Sequence, residues 1–221
     1  MTLRAEKGVV VLVLLVLLGG GFFFLAAYAS GRAAVPPAWF LTRLDDAMPL
    51  LPGSVWIYLS WYPASAAVIF ADRDGFRRAY TAYVIAFAQC VLGYVAFPIV
   101  IGRPLVPPQL GIDGAALGVL YSVDPPTNLC PSFHAAIATI LVRVVSHKRL
   151  ARVAHVWFIA LCGACLLTRQ HYVLDVVGGV AVGLVAIKSG DAFLAWRRRP
   201  ACASQPPVCN GRHRAQCGAA P

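Results

Sequence analysis

The stretch HYVLDVVGGVAVGLVAI, residues 171–187, begins with a histidine and continues after Asp175 as an uncharged apolar segment. In a helix, positions i and i+4 lie on one face, one turn apart, so this spacing brings His171 and Asp175 together. A carboxylate inside an apolar span is costly and is usually functional and paired. The stretch therefore predicts a histidine oriented by a carboxylate at the end of a membrane helix.

A second histidine lies at the start of another apolar segment, where Pro131-Ser132-Phe133-His134 leads into AAIATILV. Phosphoryl transfer through a phosphohistidine requires these groups: a histidine oriented by a carboxylate and a second histidine nearby. His134, His171 and Asp175 are therefore the predicted catalytic residues of a membrane-embedded phosphotransfer enzyme.

The composition excludes an ordinary soluble domain. Hydrophobic residues make up 59% of the chain, charged residues 13%, and the mean hydropathy is +0.71. Soluble domains have about 45–50% apolar and about 25% charged residues. The net charge of +10 lies mainly in short loops between apolar runs. This distribution is typical of topogenic charge that also meets anionic lipid, so the predicted partners are membrane lipids and not nucleic acid.

Six apolar segments predict an all-α, six-span transmembrane helical bundle. They cover residues 9–28, 54–71, 79–101, 132–146, 153–168 and 171–187. Arg4 and Lys7 precede the first segment, which fits a signal peptide or an uncleaved anchor, and the length of the apolar run favours the anchor. Trp61-Tyr62-Pro63 interrupts the second segment and predicts a kink or an interfacial anchor.

Three regions are predicted along the chain. Residues 1–29 form an N-terminal transmembrane anchor, residues 30–190 a membrane-embedded catalytic core, and residues 191–221 a basic, disordered cytoplasmic tail. Within the core, residues 41–52 predict a short interfacial helix, and residues 102–131 predict the longest outer loop, rich in proline and glycine.

Lysine and arginine counts predict the orientation in the membrane. One set of loops has most of the basic residues: Arg4, Lys7, Arg73, Arg77, Arg78, Lys148, Arg149, Arg152, Lys188 and Arg197 to Arg199. The opposite set has Arg32, Arg43, Arg103 and Arg169. The more basic side is predicted to be cytoplasmic, with both termini inside. The active site then falls on the outer face, periplasmic or lumenal.

Three motifs resemble the signatures of the type 2 phosphatidic acid phosphatase superfamily. Ile101-Gly102-Arg103-Pro104 is similar to the end of the first signature, Pro131-Ser132-Phe133-His134 to the second, and His171-Tyr172-Val173-Leu174-Asp175 to the end of the third. The Pro-Ser-Phe-His and His-Tyr-x-x-Asp forms most resemble the inositol phosphorylceramide synthase-like (inositolphosphotransferase) branch.

The chain also departs from those signatures. Ala96 stands where the first signature has a lysine, and Ala164 and Cys165 stand where the third has Ser-Arg. The sphingolipid-synthase branch tends to lack the same cations, so the departures favour that branch over plain phosphatases.

The resemblance implies a role for each site residue. His171 would attack phosphorus, Asp175 would hold its other ring N–H, and His134 would act as general acid and then as general base. The implied phosphate-binding residues are Arg103, Ser132 and Arg169. The implied substrate is a phosphorylated lipid, and the scheme requires neither a cofactor nor a metal.

Alternatives remain at this point. The acceptor is either water, in a phosphatase, or another hydroxyl, in a transferase. A non-catalytic lipid-phosphate or anion transporter is the rival class, although neither paired repeats nor broken helices are apparent. The other acidic residues are interpreted as loop charges (Asp45, Asp46, Asp72, Asp74) or as isolated (Asp113, Asp124). His147, His155 and His213 are interpreted as structural, and the tail residues Cys202, Cys209 and Cys217 match no zinc pattern.

Overall fold

The structure is a computed structural model that describes residues 7–8, 24, 27–28, 31–106, 110–127, 129–144 and 148–198. The described part of the chain is 74% helical, 3₁₀ turns included, and contains no strand, only an isolated parallel bridge between Ala34 and Ile99. The predicted all-α class is thus confirmed. Most of the predicted first span and residues 199–221 of the predicted tail lie outside the described residues.

Eight α-helices follow one another in the described part of the chain. They are α1 (Arg43–Ala47), α2 (Val55–Leu59), α3 (Trp61–Ala66), α4 (Arg73–Ala96), α5 (Gly111–Val123), α6 (Phe133–Val144), α7 (Lys148–Leu167) and α8 (Val173–Arg197). Short 3₁₀ turns, Pro52–Ser54 and Ala67–Phe70, flank α2 and α3.

The long helices extend beyond the apolar segments that predicted them. Helix α4 begins at Arg73 because the Asp72 side chain accepts a hydrogen bond from the Gly75 N–H at 2.7 Å and caps the first turn. Helix α8 ends at Arg197, so the start of the predicted tail is helical. Hydropathy locates the apolar centre of a helix, whereas caps and charged terminal turns determine where it ends.

The predicted second span is divided into short helices. Helices α2 and α3 meet at Ser60, which lies beside the predicted interruption at Trp61-Tyr62-Pro63. Pro63 falls in the first turn of α3, where its missing N–H costs no intrahelical hydrogen bond.

Residues 102–131 are not simply a loop, which corrects the prediction for this region, because α5 occupies its centre. Leu117 and Leu120 of α5 are buried in one cluster with Val55 and Tyr58 of α2. The glycines of this region lower its helix propensity, and tertiary packing of an apolar face overrides that preference.

Helices α6 and α8 run side by side in the same direction and bring their first turns together. Two glycines of α8 permit this approach. A Cβ atom added at Gly179 would lie 2.2 Å from the Ser132 carbonyl oxygen, and one added at Gly183 would lie 2.7 Å from the Ala136 carbonyl oxygen. Since α7 returns the chain between them, residues just before α6 and just before α8 meet at one end of the bundle.

Among the described residues, three helices are long and apolar enough to cross a membrane: Arg73–Ala96, Leu150–Leu167 and Val173–Arg197. One face of α7 presents Val153, Val156 and Ile159 outward, each more than half exposed. An apolar helix face of this kind suits contact with lipid. Helices α5 and α6 are apolar but shorter, and the six-span count stays a prediction.

Candidate active site

Two imidazole rings face each other where α6 and α8 begin. Nδ1 of His134 lies 3.2 Å from Nε2 of His171, and both side chains are buried. His134 is the second residue of α6, and His171 lies in the turn between α7 and α8. The structure therefore brings together the two predicted catalytic histidines, which are far apart in sequence.

Asp175 completes a row of three side chains. Its Oδ2 atom lies 3.5 Å from Nδ1 of His171 and accepts a hydrogen bond from the Tyr172 N–H at 2.8 Å. Neither Nδ1 of His171 nor Oδ1 of Asp175 has a hydrogen-bond partner in the described part of the chain. A 3.5 Å contact is longer than a hydrogen bond, and such contacts in free enzymes commonly shorten when substrate binds.

The spacing of His171 and Asp175 works differently from the prediction. His171 is not on the helix, because α8 begins at Val173 and Asp175 occupies the third helical position. The Asp175 side chain accepts a hydrogen bond from the N–H of Tyr172, the residue before the helix. This bond directs the carboxylate toward His171. The two side chains lie close together as the spacing predicts, but the predicted helical geometry of His171 was wrong, because His171 precedes the helix.

The turn that carries His171 is fixed by backbone hydrogen bonds. The N–H groups of Gln170 and His171 both donate to the Cys165 carbonyl oxygen, at 3.0 and 3.1 Å. Arg169 adopts a left-handed conformation, with φ of 51°, which is uncommon for a residue other than glycine. Cys165, which stands where the resembled signature has an arginine, thus contributes its carbonyl group here and holds the turn that carries His171.

Arg169 connects this turn to α1. Its two terminal guanidinium nitrogens donate to the carbonyl oxygens of Asp45 at 2.8 Å and Met48 at 2.5 Å. These contacts position the turn that carries His171. The phosphate-binding role of Arg169 stays a prediction.

Asp45 is buried, so its interpretation as a loop charge was wrong. Its side chain forms a capping box with Thr42 at the start of α1, and its Oδ1 atom accepts from the Val173 N–H at 2.7 Å. Val173 is the first residue of α8, where a carboxylate is favoured by the helix dipole. Asp45 and Arg169 therefore fasten α1 to both sides of His171.

Arg103 contacts the last turn of α5, the segment after it, and Gln170, the residue before His171. One terminal nitrogen donates to the carbonyl oxygens of Tyr121 at 3.3 Å and Asp124 at 2.5 Å, and the other donates to Oε1 of Gln170. Burial lowers the pKa of Arg103, and the negative charge of Asp124 acts in the opposite direction. The Nε–H of Arg103 has no partner among the described residues and is the donor left for a ligand.

Gln170 is a site residue that the sequence reasoning missed. It precedes His171, is only 2% exposed, and receives the guanidinium of Arg103 on its amide oxygen. Its amide nitrogen has no partner in the described part of the chain. Gln170 therefore has a second unpaired donor in the residue next to His171, and the only sequence signal was that position.

Ser132 lies under the site rather than in an open pocket. It is fully buried, its N–H donates to the Asp175 carbonyl oxygen at 2.8 Å, and its hydroxyl accepts a long hydrogen bond from the Ala135 N–H at 3.4 Å. These bonds tie the start of α6 to the first turn of α8. The phosphate-binding role of Ser132 stays a prediction.

Tyr58 and Asp124 form the other group that sequence reasoning missed. The Tyr58 hydroxyl lies 2.8 Å from Nε2 of His134 and donates to Oδ2 of Asp124 at 3.0 Å. Asp124, interpreted as isolated from other carboxylates, therefore has a phenol as its partner. Burial raises the pKa of the Asp124 carboxyl, while the Arg103 charge and the Tyr58 hydrogen bond lower it.

Metal-binding side chains do not cluster in the described residues, which contain no group of three or more His, Cys, Asp or Glu that could hold a metal ion. Cys90 and Cys165 are buried, and Cys130 and Cys162 half-buried, all as free thiols. The chemistry available at the site is therefore that of imidazole, carboxylate, phenol, amide and guanidinium groups.

A comparison with protein families matches residues 54–189 of the chain to the PAP2 superfamily, and the chain belongs to that superfamily. The matched region contains every residue placed in the site above except Asp45, Thr42 and Met48, which support it from α1 and its flanks. Searches of curated proteins and of solved structures found no match. Membership of this superfamily indicates phosphatase-type chemistry.

Proposed function

We propose that the protein is an integral membrane lipid phosphatase or headgroup phosphotransferase that works through a phosphohistidine intermediate. The observation that carries the proposal is the continuous buried row His134–His171–Asp175, with contacts of 3.2 and 3.5 Å. The superfamily match supports the same reaction class. A transporter has no need for a nucleophile, an acid and an orienting carboxylate in one row.

In the first half-reaction, Nε2 of His171 attacks phosphorus. The N–P bond forms while the P–O bond to the leaving lipid breaks, and His134 gives its proton to the departing oxygen. Nε2 is the nucleophilic atom because Nδ1 faces Asp175. The carboxylate stabilises the positive charge that develops on the ring.

In the second half-reaction, His134 takes a proton from the acceptor hydroxyl. The acceptor oxygen forms a bond to phosphorus as the N–P bond breaks, which restores His171. Water as acceptor gives a phosphatase, and a lipid or polyol hydroxyl gives a transferase.

The oxygen atoms on phosphorus need donors that replace water. Arg103 is the first candidate, because its Nε–H is unpaired and its guanidinium contacts the residue before His171, and Gln170 offers the second unpaired donor. Preorganised donors of this kind stabilise charge in the transition state. Ser132 and Arg169 complete the proposed phosphate-binding residues. Ser132 lies at the start of α6, and Arg169 holds the turn that carries His171.

Within the superfamily, the motifs favour the inositol phosphorylceramide synthase-like branch. His171-Tyr172-x-x-Asp175 and Pro131-Ser132-Phe133-His134 have the form of that branch, and Ala96 and Cys165 stand where phosphatases have cations. The proposed arrangement is a six-span protein with both termini in the cytoplasm and the site on the outer face, as the distribution of lysine and arginine indicates.

The test is turnover by the purified protein on a panel of phosphorylated lipids, with separate assays for free phosphate and for new headgroup products. We expect His171→Ala to abolish both products and His134→Ala to lose about 10²- to 10⁴-fold. A ³²P-labelled donor should leave an acid-labile, alkali-stable label on the wild-type protein and none on His171→Ala.

His155→Ala is the matched control, because His155 is exposed on α7 and its ring forms a hydrogen bond with the Ala151 carbonyl oxygen of the same helix. Full turnover by His171→Ala would refute the mechanism. Binding of lipid phosphates by the wild type without any turnover would support a transporter instead.

A further inference from the structure

In the proposed reaction Asp175 orients His171, but the residues that contact His134 have no role. Tyr58 is fully buried on α2, and its hydroxyl lies 2.8 Å from Nε2 of His134 and 3.4 Å from Nδ1, so Nε2 is the closer nitrogen. The edge of His134 also meets Trp61, with ring centroids 5.0 Å apart at 90°. His134 is thus enclosed by aromatic rings on the side away from His171.

The hydrogen-bond directions at this point are determined by the groups themselves. An ionised carboxylate only accepts hydrogen bonds, so the single proton of the Tyr58 hydroxyl goes to Asp124. The phenol oxygen is then an acceptor, and the nitrogen that it contacts must supply the proton. Nε2 of His134 therefore carries N–H, and Nδ1, which faces His171, is the nitrogen free for proton transfer.

We propose that Tyr58 and Asp124 are positioning residues that fix His134 with its proton on Nε2, so that Nδ1 performs the acid and base steps. The role in catalysis rests on the proposed function above, whereas the tautomer does not. Asp124 would act on His134 through Tyr58 as Asp175 acts on His171 directly.

The proton balance follows from this arrangement. Before the first half-reaction His134 is an imidazolium, and its Nδ1 proton goes to the lipid oxygen as the P–O bond breaks. The ring is then neutral, with Nε2–H still donated to Tyr58. In the second half-reaction Nδ1 takes the proton of the acceptor hydroxyl as the N–P bond breaks, which returns the imidazolium. The negative charge of Asp124, relayed through the phenol, stabilises this cation in the same way as a triad carboxylate.

The first test reads the tautomer without any substrate. The chain contains five histidines, so ¹⁵N-histidine spectra of the full-length protein in detergent can be assigned with single-histidine replacements. At a pH where the His134 ring is neutral, we expect the wild-type protein to show His134 protonated on Nε2. Asp124→Leu removes the acceptor of the Tyr58 hydroxyl proton, so the phenol can donate to His134 and the tautomer should move toward Nδ1–H.

Tyr58→Phe should leave His134 as a mixture of tautomers. The matched controls are Asp113→Leu, on α5, whose carboxylate accepts from the Trp56 indole at 2.7 Å, and Tyr83→Phe, whose buried hydroxyl has no partner in the described part of the chain. Neither should change the His134 signals. A wild-type spectrum with His134 protonated on Nδ1, or no change in Asp124→Leu, would overturn the inference.

The second test separates a positioning role from a merely structural one. Two probes differ in their need for a general acid: dioctanoyl phosphatidic acid, which has a poor leaving group, and para-nitrophenyl phosphate, which has a good one. We expect Tyr58→Phe to lower kcat on the lipid probe by about 10- to 100-fold, part of the ~10²–10⁴ that general acid catalysis supplies. On the chromogenic probe the loss should be below about 3-fold, since protonation contributes little there.

Equal losses on both probes would show that Tyr58 only supports the fold and would overturn its catalytic role. Failure of the proposed function would appear elsewhere, as normal turnover by His171→Ala. The two failures are therefore distinguishable.

Discussion

The two histidines of the site are supported in different ways. His171 has its carboxylate four residues further along the chain, 3.5 Å away, in the first turn of the helix that follows. His134 is next to a phenol from α2, which in turn contacts a carboxylate from the segment after α5. One support is local in sequence, and the other is assembled from three separate elements.

This difference explains why one half of the site is apparent in the sequence. Residues as near in sequence as His171 and Asp175 stay close in any compact turn, so their proximity can be predicted from the sequence, although the capping bond that orients Asp175 cannot. The Tyr58–Asp124 pair depends on how α2 and α5 pack together, which no local pattern encodes. Contacts of that kind are recognised only once the fold is known.

The largest effect should come from breaking the local support. Asp175→Asn keeps the shape of the side chain but offers His171 an amide, which does not stabilise the ring cation. The loss of an equivalent carboxylate costs about 10⁴ in rate in a serine-protease triad, and we expect a comparable fall in kcat here. The measurement is steady-state turnover on the lipid phosphate that the panel identifies.

Asp191→Asn provides the matched control, since Asp191 lies on the same helix α8 and is half exposed beside Arg78. It should change turnover less than about 3-fold, because exposed ion pairs contribute only about 0–1 kcal/mol. If Asp175→Asn and Asp191→Asn behaved alike, the direct support of His171 would be disproved, and the contrast with His134 would disappear.

The fold could be predicted from the sequence in part, for physical reasons. Apolar runs revealed the cores of α4, α6, α7 and α8, because burial and lipid contact both select such runs. Helix α5 was missed, because its glycines mask an apolar face that only packing against α2 stabilises. Asp45 was misassigned for the same kind of reason: its partner, Val173, lies on a distant helix.

A second prediction tests the close approach that brings the two histidines together. Gly179→Ala would place a Cβ atom 2.2 Å from the Ser132 carbonyl oxygen and 2.9 Å from the Ala135 Cβ. Helix α6 must then move from α8, and His134 moves with it. We expect a loss of about 1–3 kcal/mol in the free energy of unfolding, together with reduced turnover.

Gly163→Ala is its control, because nothing lies within 4 Å of the added Cβ atom on α7. This variant should be neutral or more stable by up to about 1 kcal/mol, since alanine is the better helix former. The measurement is thermal or denaturant unfolding in detergent, combined with turnover. Equal stability of both glycine variants would contradict the tight packing of α6 on α8.

The smallest effect should come from Arg169, and it tests whether the local support of His171 also needs a remote anchor. The guanidinium of Arg169 donates to the carbonyl oxygens of Asp45 and Met48. Arg169→Lys keeps the charge and can satisfy one carbonyl, so we expect a loss of about 1 kcal/mol in stability and less than about 10-fold in kcat. Arg43→Lys on the exposed side of α1 is the control and should alter neither quantity. A large fall in kcat with unchanged stability would instead indicate that Arg169 binds the phosphoryl group. His171 would then depend on a cation at its turn as much as on Asp175.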